Sequence, residues 1–115
     1  MDWNQWTAVG KVQGQPNISG DGDAKQAFFY FSVNRRVRNA NGQWVDKVCN
    51  APVFAFGNKA DLIDRYVVEG QELMISAEYD SWENNGAQQH GFMLQNVSFG
   101  FKPRNNANPA PAHMQ

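Results

Sequence analysis

One cysteine, Cys49, in a chain of 115 residues leaves no partner for an internal disulfide and fits a reducing cytosol. Histidine is nearly as scarce. His90 and His113 stand far from Cys49 in sequence, and no zinc-ligand spacing exists. The chain also lacks a GxSxG elbow, a glycine-rich phosphate loop and a paired helical histidine motif. With no constellation of nucleophile, base and orienting group, no enzymatic activity is expected, and no metal or cofactor. Glu78, Asp80 and Glu83 lie close together, but carboxylates on a solvated strand account for them more simply than a metal site does. The opening residues, Met1-Asp2-Trp3-Asn4-Gln5, have no basic cluster and no apolar run behind them, so no signal peptide is expected. No apolar stretch approaches the length of a membrane span, and no membrane association is expected. An excess of one charge is missing too: 10 Lys and Arg against 11 Asp and Glu give a net charge of −1. The overall balance therefore does not announce a polyanion-binding surface.

What is present is a chain rich in rings. Hydrophobic residues make up 42 % and aromatics 13 %. That suits one globular domain, expected over residues 1–102, followed by a polar, Pro-containing flexible tail over 103–115. Thr7 to Val12 reads as a first strand, with Gly10 marking a bulge or bend. GQPNISGDGDA, residues 14–24, has loop composition. A second strand runs from about Gln26 to Arg36, and Asn41-Gly42 signals a hairpin with a loop longer than two residues. A third strand follows from Trp44 to Phe56. Asn58 is a candidate N-cap for a short helix whose face would carry Leu62, Ile63, Tyr66 and Val67, ending at Glu69-Gly70. Two more strands cover Glu72 to Trp82 and Gln89 to Phe101, separated by a turn over Glu83 to Ala87. Five strands with one helix between the third and fourth is the element order of an all-β OB-fold barrel.

The segment AFFYFSVNRRVRNANG, residues 27–42, places rings, arginines and a turn in succession. Alternation puts Phe29, Phe31 and Val33 on one strand face, expected to be core. Phe28 and Tyr30 fall on the mixed face, where either a ligand or another covering element must account for them. In the third strand Ala51, Val53 and Ala55 share one face, and Asn50, Pro52, Phe54 and Phe56 the other. Size alone assigns Phe54 and Phe56 to the core, although a narrow barrel can be filled by Ala and Val. Arg35, Arg36 and Arg38 alternate faces, so one partner surface does not reach all three if the strand continues. Trp44, flanked by polar residues, suits a contact better than a core, and Tyr79 and Trp82 pose the same choice. Charge is segregated along the chain. Residues 25–59 carry six basic side chains against Asp46, and residues 60–83 carry seven acidic ones against Arg65. A positive face is compatible with that split.

Taken together, these motifs resemble the bacterial single-stranded DNA-binding protein family over residues 6–101. The family's V-G-K/R element is matched by Val9-Gly10-Lys11, and its F-x-L-A-V-N-R-R segment by Phe29 to Arg36. Its K-x-A-x-x-x-x-x-Y-x-x-x-G helix is matched by the stretch through Lys59, Ala60, Tyr66 and Gly70. The resemblance implies a sequence-nonspecific binder of single-stranded DNA in replication, recombination or repair, cytoplasmic and homo-oligomeric as a dimer or tetramer. It implies that Phe56 stacks on bases and that Phe54 shares its face. It also implies that Lys11, Arg35 and Arg36 lie near the bound strand, and it puts Trp82 near, though not in strict register with, a stacking aromatic of the fourth strand. The residues themselves add Arg38 and Lys47 as phosphate contacts and Tyr30 and Trp44 as ring contacts. Two departures stand out. Asn50 occupies a position often aromatic in the family, which moves stacking elsewhere, with Trp44 a candidate. The tail ends Ala112-His113-Met114-Gln115, without the acidic, Phe-terminated tip that recruits partner enzymes, so recruitment of that kind is not expected. Phage, plasmid and primosomal relatives can lack that tip. The alternatives left open by the residues are an OB-fold module that binds protein, and a binder of single-stranded RNA, since stacking is shared and the 2′-hydroxyl decides.

Overall fold

A computed structural model describes residues 2–100; the expected tail and the expected strand end at Phe101 lie outside the described residues. Five strands are present: β1 Trp6–Ser19, β2 Gln26–Arg38, β3 Trp44–Phe56, β4 Glu72–Asn84 and β5 Ala87–Phe99. One helix, α1 Asn58–Tyr66, lies between β3 and β4. The strands close into a barrel in the order β1-β2-β3-β5-β4, with β4 pairing back onto β1. Every pairing is antiparallel except the seam between β3 and β5. This is the OB-fold that the element order predicts. Among the described residues no helix is long and apolar enough to cross a membrane.

Strand alternation builds the interior. Val12, Ala27, Phe29, Phe31, Val53, Ala55, Leu73, Ile75, Ala77 and Leu94 are all buried. Large residues face small ones across the sheet: Phe31 lies opposite Ala51, and Phe29 opposite Val53. Those two rings fill the lumen, so Phe54 and Phe56 are not core as size alone suggests. Phe54 is half-buried and Phe56 is 49 % exposed. Each large buried side chain contributes about 1.5–3 kcal/mol through removal of apolar surface from water.

Three local expectations are corrected. First, β1 does not stop at Val12 but runs through GQPNIS, because β2 offers it a pairing edge: Asn17, Ile18 and Ser19 lie opposite Phe28, Ala27 and Gln26. Tertiary pairing here overrides weak strand propensity. The register shifts between Gln13 and Asn17, where Gly14 has φ +78°. Gly10 instead marks a close approach, since a Cβ there would sit 2.3 Å from the Ser32 carbonyl oxygen. Second, Gly57, at φ +62°, is the N-cap and Asn58 the first helical residue. The Gly57 N–H donates to the Lys25 carbonyl, tying the helix start to β2. Third, α1 buries Ala60 and Ile63, with Val67 just beyond its end, while Leu62 and Tyr66 are exposed. A helix plugging a barrel end turns in only a narrow stripe. It stops at Tyr66, and the turn to β4 is held by the Gly70 N–H donating to the Val12 carbonyl.

The loops also refine the expectations. The β2–β3 connection is five residues long, and the Asn39 side-chain carbonyl accepts from the backbone N–H of both Asn41 and Gln43 at 2.9 Å. Between β4 and β5 the turn is only two residues, Asn85 and Gly86, both at positive φ, the pattern of a type I′ hairpin. β4 and β5 therefore continue to Asn84 and from Ala87, through residues that have turn composition.

Candidate functional site

The outer face of β2 and β3 gathers most of the residues singled out in the sequence. Directly opposed residues on antiparallel strands share a face. Gln26 faces Phe56, Phe28 faces Phe54, Tyr30 faces Pro52, Ser32 faces Asn50, Arg36 faces Asp46 and Arg38 faces Trp44. The rings touch in a line. Tyr30 meets Phe28 edge to face at 5.0 Å between centroids, Phe28 meets Phe54 at 4.8 Å, and Phe54 meets Trp82 of β4 edge to face at 5.3 Å. Tyr30, Phe56 and Trp44 are 48 %, 49 % and 58 % exposed, far beyond what packing explains. Along this face the protein presents flat π surfaces to solvent.

Trp82 reaches Phe54 across β5 because position 91 is glycine. A Cβ on Gly91 would lie 2.5 Å from the Phe54 ring and 3.2 Å from that of Trp82. Sequence reading missed this residue. Its signal is a glycine inside a strand pattern, which marks a close approach. Phe28, which the alternation of β2 leaves on the mixed face with Tyr30, is the ring that joins Tyr30 to Phe54.

Basic groups continue the same face outward. The β2–β3 hairpin extends past the barrel as an arm. On it the Arg38 guanidinium lies 5.7 Å from the centre of the Trp44 ring, a cation–π contact, and donates from Nε to the Gly42 carbonyl. Arg36 approaches Asp46 at 3.9 Å, but both side chains are well solvated, so the pair is weak and Arg36 stays available. Lys11 lies opposite Ser32, on the outer face beside β2. Arg35 and Lys47 are not brought together with these groups. They face each other on the arm's other side. Glu78 and Asp80, by alternation on the Trp82 side of β4, set an acidic border to the ring face.

Lys25, although part of the basic stretch of the sequence, is withdrawn from the site. Its ammonium binds Asp64 at 2.6 Å and Asp61 at 3.0 Å, beside the helix start. The hydrogen bonds that the ammonium donates to Asp64 and Asp61 hold the Lys25 pKa above its ordinary value. The same ammonium holds the Asp61 carboxyl below the ordinary carboxylate range. Among the described residues, no group of three or more His, Cys, Asp or Glu is placed to hold a metal ion.

The arrangement offers stacking surfaces and positive charge on one solvent-facing sheet, a chemistry suited to an unpaired, stacked polyanion. Comparison with known proteins points the same way. A family profile described as the single-strand binding protein family matches residues 3–98. No curated protein matches the chain. Among solved structures, the Plasmodium falciparum SSB complex with ssDNA superposes with a TM-score of 0.74 at 22 % identity, covering 88 % of this chain and 97 % of that one. A small single-stranded DNA-binding protein from Streptomyces coelicolor gives 0.62 at 15 % identity, covering 87 % and 96 %. A deletion mutant of the Thermus aquaticus single-stranded DNA binding protein gives 0.75 at 13 % identity, covering 86 % of this chain and 51 % of that one. At these identities the structural likeness speaks for the shared fold.

Proposed function

The chain belongs to the single-strand binding protein family, and from that premise we propose that its outer β2–β3 face is where single-stranded DNA lies. The protein binds single-stranded DNA through an OB-fold, and roles in replication, recombination and repair are typical of its family. That family binds DNA without catalysing a reaction on it. The observation that carries our assignment is the unbroken line Tyr30–Phe28–Phe54–Trp82, with Phe56 beside it and Trp44 farther out on the arm.

Bases of any identity present a π face, so stacking on these rings needs no sequence readout, and each productive stack is worth about 1–3 kcal/mol. Arg36, Arg38 and Lys11 neutralise phosphates along the same face. Arg35 and Lys47 add charge from the arm's far side. The binding domain is residues 1–102, working in the cytoplasm as a homo-oligomer. Support for self-association comes from Val9 and Met74, exposed apolar residues directly opposite each other on β1 and β4, away from the rings.

Titration of intrinsic tryptophan fluorescence with oligo-dT tests the reading. Trp44 and Trp82 should be quenched, and affinity should fall with salt by about 0.7 logarithmic units per phosphate contact for each tenfold rise in salt. Absence of binding at low salt, by fluorescence and by gel shift, would remove the proposal.

A further inference from the structure

Charge divides this molecule between its two hairpins. β2 and β3 carry Arg35, Arg36, Arg38 and Lys47 against Asp46 alone, whereas β4 and β5 carry four carboxylates and no Lys or Arg. The two signs also stand at opposite ends of the ring line. Beyond Tyr30, β2 runs out along the basic arm. At the other end Trp82 has Asp80 and Glu78 on its own side of β4. Two residues apart on one side of a strand, those carboxylates are spaced by about 7 Å along it.

Folding accounts for neither group. Arg35 and Lys47 are like charges directly across a strand pair, which destabilises a hairpin. Neither has an acidic partner among the described residues, and neither Glu78 nor Asp80 has a basic one. Glu78 accepts a hydrogen bond from the Gln95 amide at 3.3 Å, and Asp80 one from the Ser81 backbone N–H at 2.8 Å, which leaves both charges unneutralised. A carboxylate strip beside a face that takes phosphates also opposes that task. The strip calls for a cationic partner, and this chain carries one of matching size. Arg35 and Lys47, with Cβ atoms roughly 5 Å apart, lie on the side of the arm turned away from the rings.

We propose that the Arg35–Lys47 pair of one copy docks on the Glu78–Asp80 strip of the next copy along the same single strand, a head-to-tail contact between two copies of this chain. The inference rests on the outer-face reading. A strand that runs past Trp82 leaves one ring line at its acidic end and enters the next from its basic arm. Solvent-exposed ion pairs are individually weak and screened by salt, so two of them do not hold free copies together. Copies already side by side on one strand meet at high effective concentration, where a weak contact counts. Because the contact joins unlike surfaces, it repeats along the strand without closing.

The experiment measures binding to oligo-dT of about 12 and about 70 nucleotides, the shorter within the roughly 4–16 nucleotides of one OB-fold site. It compares wild type with Arg35→Glu/Lys47→Glu, with Glu78→Lys/Asp80→Lys, and with the chain that combines all four changes. On the long strand a bound wild-type copy should strengthen binding of the next about tenfold at low salt. Each double variant sets like charges against each other and should lose that factor. An equal mixture of the two double variants, and the fourfold variant, bring unlike charges together again and should recover it. Affinity for the short oligonucleotide normalises every variant and reports that it is folded. A factor absent from wild type, or unchanged in both double variants, overturns the contact and leaves the outer face standing. Loss without recovery in the mixture and the fourfold variant overturns it too, since the charges then act on DNA rather than on a neighbour. A sedimentation coefficient of the DNA-free protein that falls in both double variants and recovers in the fourfold one places the contact in the free assembly, which also overturns the inference. If wild type does not bind the short oligonucleotide, the outer-face reading itself fails.

Discussion

Phe54 and Phe56 share a strand face but differ in what they hold together. Phe56 is half exposed with no ring partner among the described residues, whereas Phe54 packs between Phe28 and Trp82. Phe56→Ala should therefore cost about 1–3 kcal/mol of DNA affinity and less than about 1 kcal/mol of stability. Phe54→Ala should lower both, as titration and chemical denaturation would show. Equal stability losses for the two would contradict the division. Gly91→Ala should destabilise by about 1–3 kcal/mol through overpacking, shift Trp82 emission and weaken binding, because the new methyl group takes space held by the Phe54 ring. Alternation alone correctly separates Phe29 and Phe31 from Phe28 and Tyr30. It misjudges Phe54 and Phe56 when joined to a rule of size, because the lumen is already filled by the rings of β2 facing Val53 and Ala51. Gly91 shows in the sequence only as a glycine inside a strand; the ring it approaches does not show, since Phe54 comes from a strand 37 positions earlier.

At the scale of elements, the β2–β3 arm depends on its loop. Asn39 accepts two backbone N–H groups across the turn, and Arg38 donates to the Gly42 carbonyl before lying over Trp44. Asn39→Ala should cost about 1 kcal/mol in denaturant unfolding and weaken DNA binding, because Trp44 and Arg38 lose a fixed platform. Unchanged affinity with reduced stability would show that the loop merely ties the arm. The arm is legible from Asn41-Gly42 and the flanking alternation. The second half of β1 is not legible, because nothing local in GQPNIS signals that an edge of β2 waits for it. Helix α1 is legible as an element, but its buried stripe follows the barrel end it plugs rather than the widest apolar face of the sequence.

Across the whole molecule, charge is sorted by fold as well as by sequence. The acidic stretch of α1 absorbs Lys25, leaving the β2–β3 arm as the basic region. The Lys25–Asp61–Asp64 network also sets a pH dependence. Asp61, with its pKa lowered, contributes stability above the ordinary carboxylate value and loses it as pH falls through its folded value. Lys25, with its pKa raised, contributes below its ordinary value of 10.5 and loses that as pH rises through the higher folded one. The melting-temperature gap between wild type and Asp61→Asn should be widest near neutral pH and shrink below about pH 4. A gap that persists to pH 2 would assign the effect elsewhere. Element order makes the OB-fold legible, but closure of the barrel is not, since the parallel contact of β3 with β5 joins segments with a helix and another strand between them.

That parallel seam is also the shortest in the barrel, two register pairs against thirteen between β2 and β3. It is where breathing of the barrel should begin, so the amides of Val53 and Phe54 should exchange with solvent sooner than those in the middle of β2. The contact between Phe54 and Trp82 spans β5 beside this seam. A nucleotide stacked on both rings would act as a clasp, slowing exchange along the seam and turning occupancy of the surface into rigidity of the barrel.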